Sequence, residues 1–205
     1  MQTNTTATAQ AEAPPIHPAA RIGHVHLKVA DLDRAIAFYA GVLGFEVQQR
    51  MGDQAAFLGA GGYHHHIGLN TWESRNGTPP AAGTTGLYHT AFLYPDRASL
   101  ADALRRVLAA GITLDGAADH GVSEAIYLRD PDQNGVELYR DRPQEEWPRD
   151  AQGNLKMRNS HFDLQRLLDF SRVLLHHLRR TGSETKHFHL YLHSVFLQHQ
   201  LASLV

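Results

Sequence analysis

The chain has 205 residues, no cysteine and a formal net charge of −2 at pH 7. This charge gives no reason to expect nucleic acid or an anionic membrane as a partner. Without cysteine, the chain can form neither disulfides nor thiolate ligands. No run of about 18 apolar residues is present, so no transmembrane helix is expected. The 15 histidines are numerous, and imidazole is a common ligand of transition metals.

Residues 1–20 differ in composition from the rest of the chain. They are rich in Thr, Ala, Gln and Pro and contain neither a basic start nor an apolar stretch of signal-peptide length. Such a composition is typical of disordered segments, because it offers little apolar surface to bury. We therefore predict a disordered lead-in, and the expected compartment is the cytoplasm.

Two stretches of the chain share one layout. They are "GHVHLKVADLDRAIAFYAGVLGFEV" from Gly23 and "YHTAFLYPDRASLADALRRVLAAGITL" from Tyr88. In both, a strand leads to an Asp, an amphipathic helix, a Gly and another strand. His24 corresponds to His89, and Asp31 to Asp96, at the same offset of 65 residues. The two aspartates stand where a helix N-cap is expected.

Three further segments with strand character follow each predicted helix. They lie at about 45–51, 54–60 and 63–70 in the first half and at about 112–118, 123–129 and 134–140 in the second. The sequence therefore predicts an α+β fold of two βαβββ modules, at about 22–70 and 87–141. Their eight strands are expected to curve around one cavity, with the helices outside.

The composition changes again after residue 145. Residues 161–205 contain seven of the 15 histidines and one glycine, Gly182. "FDLQRLLDFSRVLLHHL" has the apolar spacing of an amphipathic helix, while "KHFHLYLHSVFLQHQLASLV" suits either a helix or a strand. We predict one domain at 21–145, followed by a helical C-terminal appendage at 146–205.

Three side chains are predicted to project into the concave side of the curved sheet. Strand alternation places Val25, Leu27 and Val29 under the helix, which leaves His24 on the opposite face. Similar alternation points His89 and Glu137 the same way. Each residue alone is more often a surface or hydrogen-bonded side chain, but equivalent positions in a repeat favour a joint role. Two imidazoles and a carboxylate form a facial triad, which suits non-haem Fe(II).

The quoted motifs resemble a known family. "IGHVHLKVADLDRAIAFYAGVLGFEV", "GLYHTAF" and "DPDQNGVELY" are similar to the vicinal oxygen chelate superfamily, over residues 22–145. This superfamily includes glyoxalase I, fosfomycin- and bleomycin-resistance proteins and type I extradiol catechol dioxygenases. The resemblance implies an eight-stranded, partly closed sheet and the metal ligands His24 of "GHV", His89 of "YHTAF" and Glu137 of "VELY".

The likeness to extradiol dioxygenases implies three catalytic residues. These enzymes have a His in a stretch like "HHIGL", a His before a Gly on a loop, and a Tyr ten residues before the ligating Glu. The corresponding residues are His65, His120 and Tyr127. The implied reaction is cleavage of a small aromatic catechol by O2 at Fe(II), with Mn, Ni or Zn as other possible metals. His65 would be the acid-base group, and Tyr127 and His120 would hydrogen bond to the substrate.

The three consecutive histidines of "GGYHHHIGLN" are predicted to have different roles. In a strand over 63–70, His64 and His66 would share one face and His65 the other. The resemblance selects His65 as the functional residue, with the other two facing away from the metal.

Two other functions remain open from the sequence. A glyoxalase-like isomerase or lyase usually has a carboxylate or glutamine on the fourth strand of its first module, where the expected residue here is His65. A metal-free binding or resistance protein would leave His24, His89 and Glu137 unexplained. Extradiol enzymes commonly have two such domains, whereas this chain has one. A homodimer or higher homo-oligomer is expected, and either a second copy or the C-terminal tail would help cover the site.

Overall fold

The computed structural model describes residues 14–170. The first module contains β1 (Val25–Lys28), α1 (Leu32–Ile36) with a π-helical continuation (Ala37–Val42), β2 (Glu46–Met51), β3 (Ala55–Gly59) and β4 (Ile67–Asn70). The second contains β5 (Thr90–Leu93), α2 (Arg97–Ala109), β6 (Leu114–Asp119), β7 (Ser123–Arg129) and β8 (Gly135–Asp141). A short 3-10 helix (Gln144–Glu146) and β9 (Ser160–His161) follow.

The strands form two hydrogen-bonded sheets, one for each module. Their orders are β1-β4-β3-β2 and β5-β8-β7-β6-β9. In each sheet the first strand of the module pairs with the fourth strand in parallel, and the other pairs are antiparallel. The predicted α+β class and the two βαβββ modules are thus confirmed. The eight predicted strands divide between two sheets, and a ninth strand, β9, extends the second.

The two predicted aspartate caps begin their helices. Asp31 has an extended backbone, and its carboxylate accepts a hydrogen bond from Arg34 N at 3.0 Å. Asp96 has the same relation to Ser99 N, at 2.7 Å. Each cap satisfies a main-chain N–H that the helix itself leaves unpaired, which contributes about 0.5–2 kcal/mol of stability.

One apolar core joins the two modules. It contains fully buried side chains from both, such as Leu58 and Leu69 from the first sheet and Leu104 and Leu138 from the second module. The modules also bond directly. The Tyr39 hydroxyl donates to Asp130 at 2.9 Å. Asp132 accepts hydrogen bonds from Ala30 N at 3.1 Å and from Arg34 at 2.7 Å.

The strand predicted over 63–70 is wrong in its first part, because β4 begins at Ile67. A turn precedes it: Gly61 and Gly62 have positive φ angles of 60° and 78°, and Tyr63 N donates to Ala60 O at 3.2 Å. The three histidines therefore lie in the approach to β4. Strand alternation does not decide which of them faces the site.

The C-terminal part packs against the second module. β9 pairs with the edge of β6, and Phe162 and Leu167 are buried in the shared core. Residues 164–170 are helical, whereas residues 147–163 of the predicted helical appendage are not and include the strand β9, which pairs with β6. Residues 171–205 and most of the predicted lead-in lie outside the described residues, and the domain boundaries stay predictions. No helix among the described residues is long and apolar enough to cross a membrane.

Candidate active site

His89 and Glu137 meet at the first and fourth strands of the second module. Parallel pairing sets Ala91 against Glu137, and His89 immediately precedes β5. As a result, His89 Nε2 lies 2.8 Å from Glu137 Oε2. The Glu137 side chain is only 12% exposed, so its negative charge must be compensated by a few close polar partners and little by water.

Tyr127 and His120 extend this pair into a chain of polar contacts. The Tyr127 hydroxyl lies 3.3 Å from Glu137 Oε1 and 2.7 Å from His120 Nε2. His120 follows β6, and Tyr127 lies on β7. Four of the six predicted site residues are thus connected in the order His89, Glu137, Tyr127, His120.

The surroundings keep Tyr127 in its neutral form. Burial, followed by the charge of the Glu137 carboxylate and the hydrogen bond to it, raises the pKa of Tyr127 to about 12. The phenol therefore retains its proton at neutral pH. It can donate one hydrogen bond and accept others.

The other two predicted residues, His24 and His65, meet in the first module. His24 immediately precedes β1, just as His89 precedes β5. The His24 and His65 ring centroids are 4.5 Å apart, and the His65 ring also lies against Phe57 at 5.2 Å. The motif-based choice of His65 thus corresponds to the histidine of the triplet whose ring packs against His24.

The environment of His65 favours its neutral form. Desolvation by burial lowers the pKa of His65, and repulsion from the neighbouring histidines, with His24 first, lowers it further. A neutral imidazole has a free lone pair, so His65 is suited to accept a proton near neutral pH.

The other two members of the triplet have different contacts. His66 packs against Tyr63 and Phe45, with centroids at 4.6 and 6.4 Å, and its Nδ1 lies 3.3 Å from Ala60 N. His64 is exposed, and its Nδ1 lies 2.7 Å from Nδ1 of His65. His66 therefore supports the turn before β4, while His64 borders His65 from the solvent side.

The donor atoms of His89 and Glu137 fit a shared metal ion. Atoms that bind one ion at about 2.1 Å and at a right angle lie about 3 Å apart, close to the observed 2.8 Å. However, among residues 14–170 no group of three or more His, Cys, Asp or Glu residues is arranged to hold a metal ion. The structure brings together two of the three predicted ligands, and it places His24 beside His65.

The register of the sheets identifies the position in the first module that corresponds to Glu137. Val25 pairs with Ile67 and His26 with Gly68, as Thr90 pairs with Val136 and Ala91 with Glu137. Gly68, and not His65, is therefore the equivalent position, which corrects the sequence-based assignment. A Cβ at Gly68 would lie 2.9 Å from Cγ of the His26 ring. The first module thus has no carboxylate where the second has Glu137.

A small cavity adjoins the second-module residues. Its volume is about 160 Å³, below the roughly 300–1,000 Å³ of typical ligand pockets. The lining residues are Tyr88, His89, Asp115, Tyr127, Leu128, Arg129, Gly135 and Val136. Tyr88, one of these lining residues, is 79% exposed.

Comparison with known protein families identifies the superfamily of the chain. The model of the Glyoxalase/Bleomycin resistance protein/Dioxygenase superfamily matches residues 21–138, more than half of the chain. The chain belongs to this superfamily. The resemblance predicted from the three motifs is confirmed.

Curated members of the superfamily include similar dioxygenases. The chain is 41% identical over 155 residues to a catechol-2,3-dioxygenase of Bacillus subtilis (strain 168), which covers 75% of this chain and 53% of that protein. It is 33% identical over 125 residues to biphenyl-2,3-diol 1,2-dioxygenase 3 of Rhodococcus globerulus, covering 58% and 62% of the two chains. The chain thus spans little more than half the length of these relatives.

Solved structures of superfamily members share the fold. A glyoxalase/dioxygenase from Nostoc punctiforme aligns with a TM-score of 0.53 and 17% identity, over 66% of this chain and 100% of that one. A glyoxylase/bleomycin resistance protein/dioxygenase domain from Frankia sp. EAN1pec aligns with a TM-score of 0.51 and 25% identity, over 60% and 98%.

Sequence reasoning missed two contacts at the site. One is the packing of His26 over Gly68, which follows from strand register and was hidden by the misplaced start of β4. The other is made by the main chain of Arg158, whose carbonyl oxygen lies 3.1 Å from His120 Nδ1. A main-chain contact across 38 residues has no motif, so no sequence signal pointed to it.

Proposed function

We propose that this chain is an Fe(II)-dependent extradiol dioxygenase that cleaves the ring of a catechol-type substrate with O2. The observation that carries the proposal is the connected set of His89, Glu137, Tyr127 and His120. The 41% identity to a catechol-2,3-dioxygenase supports it. The expected cytoplasmic location stays a prediction.

His24, His89 and Glu137 are the proposed ligands of the metal. Two neutral imidazoles and one carboxylate leave open positions and partly balance the charge of a divalent ion, a ligand set typical of non-haem Fe(II). When bound, ferrous iron would supply the redox chemistry between the catechol and O2. The protein side chains would orient the substrate and transfer protons.

Tyr127 and His65 have distinct proposed roles toward the substrate. Tyr127, neutral and next to Glu137, would hydrogen bond to a catechol hydroxyl and hold the ring beside the metal ligands. His65, kept neutral by its surroundings, would accept a proton from the substrate and return it later in the reaction. His120, which contacts Tyr127, would orient the phenol.

Two observations favour this function over the alternatives. A glyoxalase-like isomerase usually has a first-module carboxylate or glutamine, but the equivalent position here is Gly68, under the His26 ring. A metal-free binding protein gives no reason for a nearly buried glutamate whose close contacts are an imidazole and a phenol. The exposed Tyr88 and the small cavity support a homodimer or higher homo-oligomer in which a second copy helps to cover the substrate.

Oxygen consumption with a panel of catechols tests the proposal. The full chain, purified without oxygen and loaded with Fe(II), should consume O2 with at least one catechol and yield a ring-opened product. The variant Glu137→Gln keeps the shape of the side chain but removes the only anionic ligand, so it should lose iron and turnover together. Absence of turnover with every catechol, despite one iron per chain, would overturn the proposal.

A further inference from the structure

The segment that follows the second module reaches the candidate site. Arg158 N donates to His120 O at 3.0 Å, and Arg158 O lies 3.1 Å from His120 Nδ1. This segment, residues 148–162, lies beyond the region 21–138 that the superfamily model matches. Its main chain therefore adds contacts to His120 from outside the matched region.

The 148–162 segment is fixed in this position from several sides. β9 pairs with β6 through Ala118 and His161, and Phe162 is buried in the core. Gly121, with a φ of 77°, allows the segment to approach closely: a Cβ there would lie 2.8 Å from Pro148 and 3.2 Å from Arg158 Nε. Strand pairing and side-chain packing therefore hold Arg158 in contact with His120.

The Arg158 contact determines which nitrogen of His120 carries the proton. A carbonyl oxygen can only accept a hydrogen bond, so His120 Nδ1 must be the donor. In a neutral imidazole the other nitrogen then has a lone pair and no hydrogen. That nitrogen, Nε2, lies 2.7 Å from the Tyr127 hydroxyl and must accept the hydrogen bond from it.

The direction of this bond decides what Tyr127 can offer a substrate. A phenol has one proton, and the contact with His120 at 2.7 Å is shorter than that with Glu137 at 3.3 Å. With its proton donated to His120, the Tyr127 oxygen cannot also donate to Glu137 Oε1, and its lone pairs are left to accept a hydrogen bond. It can then accept a hydrogen bond from a substrate hydroxyl.

We propose that the main-chain carbonyl of Arg158 is a positioning group that holds His120 in the Nδ1–H form, and that this makes Tyr127 a hydrogen-bond acceptor toward the substrate. The first part concerns the resting protein alone. The second part rests on the proposed dioxygenase function.

Nitrogen-15 NMR of the histidine rings tests the first part directly. The full chain is studied without metal, and the His120 signals are identified by their loss in His120→Gln. The proposal predicts a protonated Nδ1 and a bare Nε2 for neutral His120. The opposite form, with the proton on Nε2, would overturn the proposal whatever the activity.

A matched pair of glycine variants tests whether Arg158 is the cause. Gly121→Ala should push Pro148 and Arg158 away from His120, so that a mixture of the two ring forms appears. With the Fe(II)-loaded chain, kcat should fall by about tenfold or more, because His120 no longer holds one orientation. Gly111→Ala is the control. Its φ of 69° gives similar backbone strain, but a Cβ there meets no atom within 4 Å.

The outcomes separate this inference from the proposed function. If folded Gly121→Ala retains the Nδ1–H form of His120, or if Gly111→Ala alters the ring as much, Arg158 is not the positioning group. If Gly121→Ala does not fold, the NMR measurement on the unmodified chain tests the proposal, because it shows which nitrogen of His120 carries the proton. If no catechol is turned over while His120 has the Nδ1–H form, the proposed function fails and the positioning role of Arg158 stands.

Discussion

Tyr127 and Glu137 lie directly opposite each other in the antiparallel pair of β7 and β8, and their side chains are in contact at 3.3 Å. Tyr127 and Glu137 are ten residues apart in the sequence, and the register of the hairpin formed by β7 and β8 brings them together. Residues that face each other across an antiparallel pair point to the same side of the sheet. This explains how a sequence motif translates into a contact between a phenol and a predicted metal ligand.

Removing the Tyr127 hydroxyl should affect turnover more than metal binding. In Tyr127→Phe the ring remains, but the hydrogen bonds to His120 and to the substrate are lost. We expect a fall in kcat of about 10² or more at unchanged iron content, measured by steady-state kinetics and metal analysis. Tyr94→Phe is the control, since that phenol lies beside Asp102 and Arg106 of α2. Equal losses in both variants would contradict the role of Tyr127.

His65 should be separable from its neighbour His64. If His65 transfers protons, His65→Asn should lower kcat by about 10² to 10⁴ while iron stays bound, because coordination does not require this ring. His64→Asn should change kcat much less, since His64 is exposed and borders His65 from outside. The measurements are iron content and catechol turnover of the two variants.

Two results would contradict this assignment of His65. Full turnover in His65→Asn would make His65 a bystander. Loss of iron in the same variant would make it a metal ligand, which would favour a glyoxalase-like site over that of a dioxygenase.

The close packing at Gly68 predicts a coupling with His26. In Gly68→Ala the added methyl would meet the His26 ring at 2.9 Å, so the free energy of unfolding should fall by about 1–3 kcal/mol. The double variant His26→Ala with Gly68→Ala should recover part of that loss, because the ring is gone. Urea denaturation of the two single variants and the double variant measures the coupling. Strictly additive losses would contradict the packing.

The buried Tyr39 should make stability fall at alkaline pH. Burial, followed by the nearby Asp130 carboxylate, raises the pKa of Tyr39 well above its usual value of about 10. Above about pH 10 the folded chain keeps a proton that the unfolded chain loses, so the free energy of unfolding decreases as pH rises.

Urea unfolding at pH 8 and pH 11 measures this decline. It should be shallower in Tyr39→Phe, which has no proton to retain at this position. Tyr63→Phe, which removes a hydroxyl from a side chain that is 40% exposed, should leave the decline close to that of the unmodified chain. An unchanged decline in Tyr39→Phe would contradict the role of the buried phenol.

Local sequence features predicted most of the fold. Asp31 and Asp96 mark both helix starts because an N-cap is a local interaction. The repeat at an offset of 65 places His24 and His89 at equivalent positions, one residue before the first strand of each module. The ten-residue spacing from Tyr127 to Glu137 is also local, because the register of one hairpin sets it, but the contact between the two side chains was not predicted.

Other features depend on contacts that are distant in sequence. The late start of β4 follows from the turn at Gly61 and Gly62. The apolar and aromatic residues after this turn had predicted a strand from residue 63. The contact of Arg158 with His120 arises because β9 joins β6 far along the chain. How His24 and the pair of His89 and Glu137 are arranged depends on the packing of the two modules, which strand periodicity does not describe.

The fate of molecular oxygen tests the proposed reaction most directly. The Fe(II)-loaded full chain is incubated with a catechol under ¹⁸O₂, and the product is analysed by mass spectrometry. An extradiol dioxygenase breaks one ring carbon–carbon bond and adds both atoms of O2 to the product, so we predict a ring-opened product with two ¹⁸O atoms. A product that lacks ¹⁸O, or an unopened ring with an iron-loaded chain, would contradict the account.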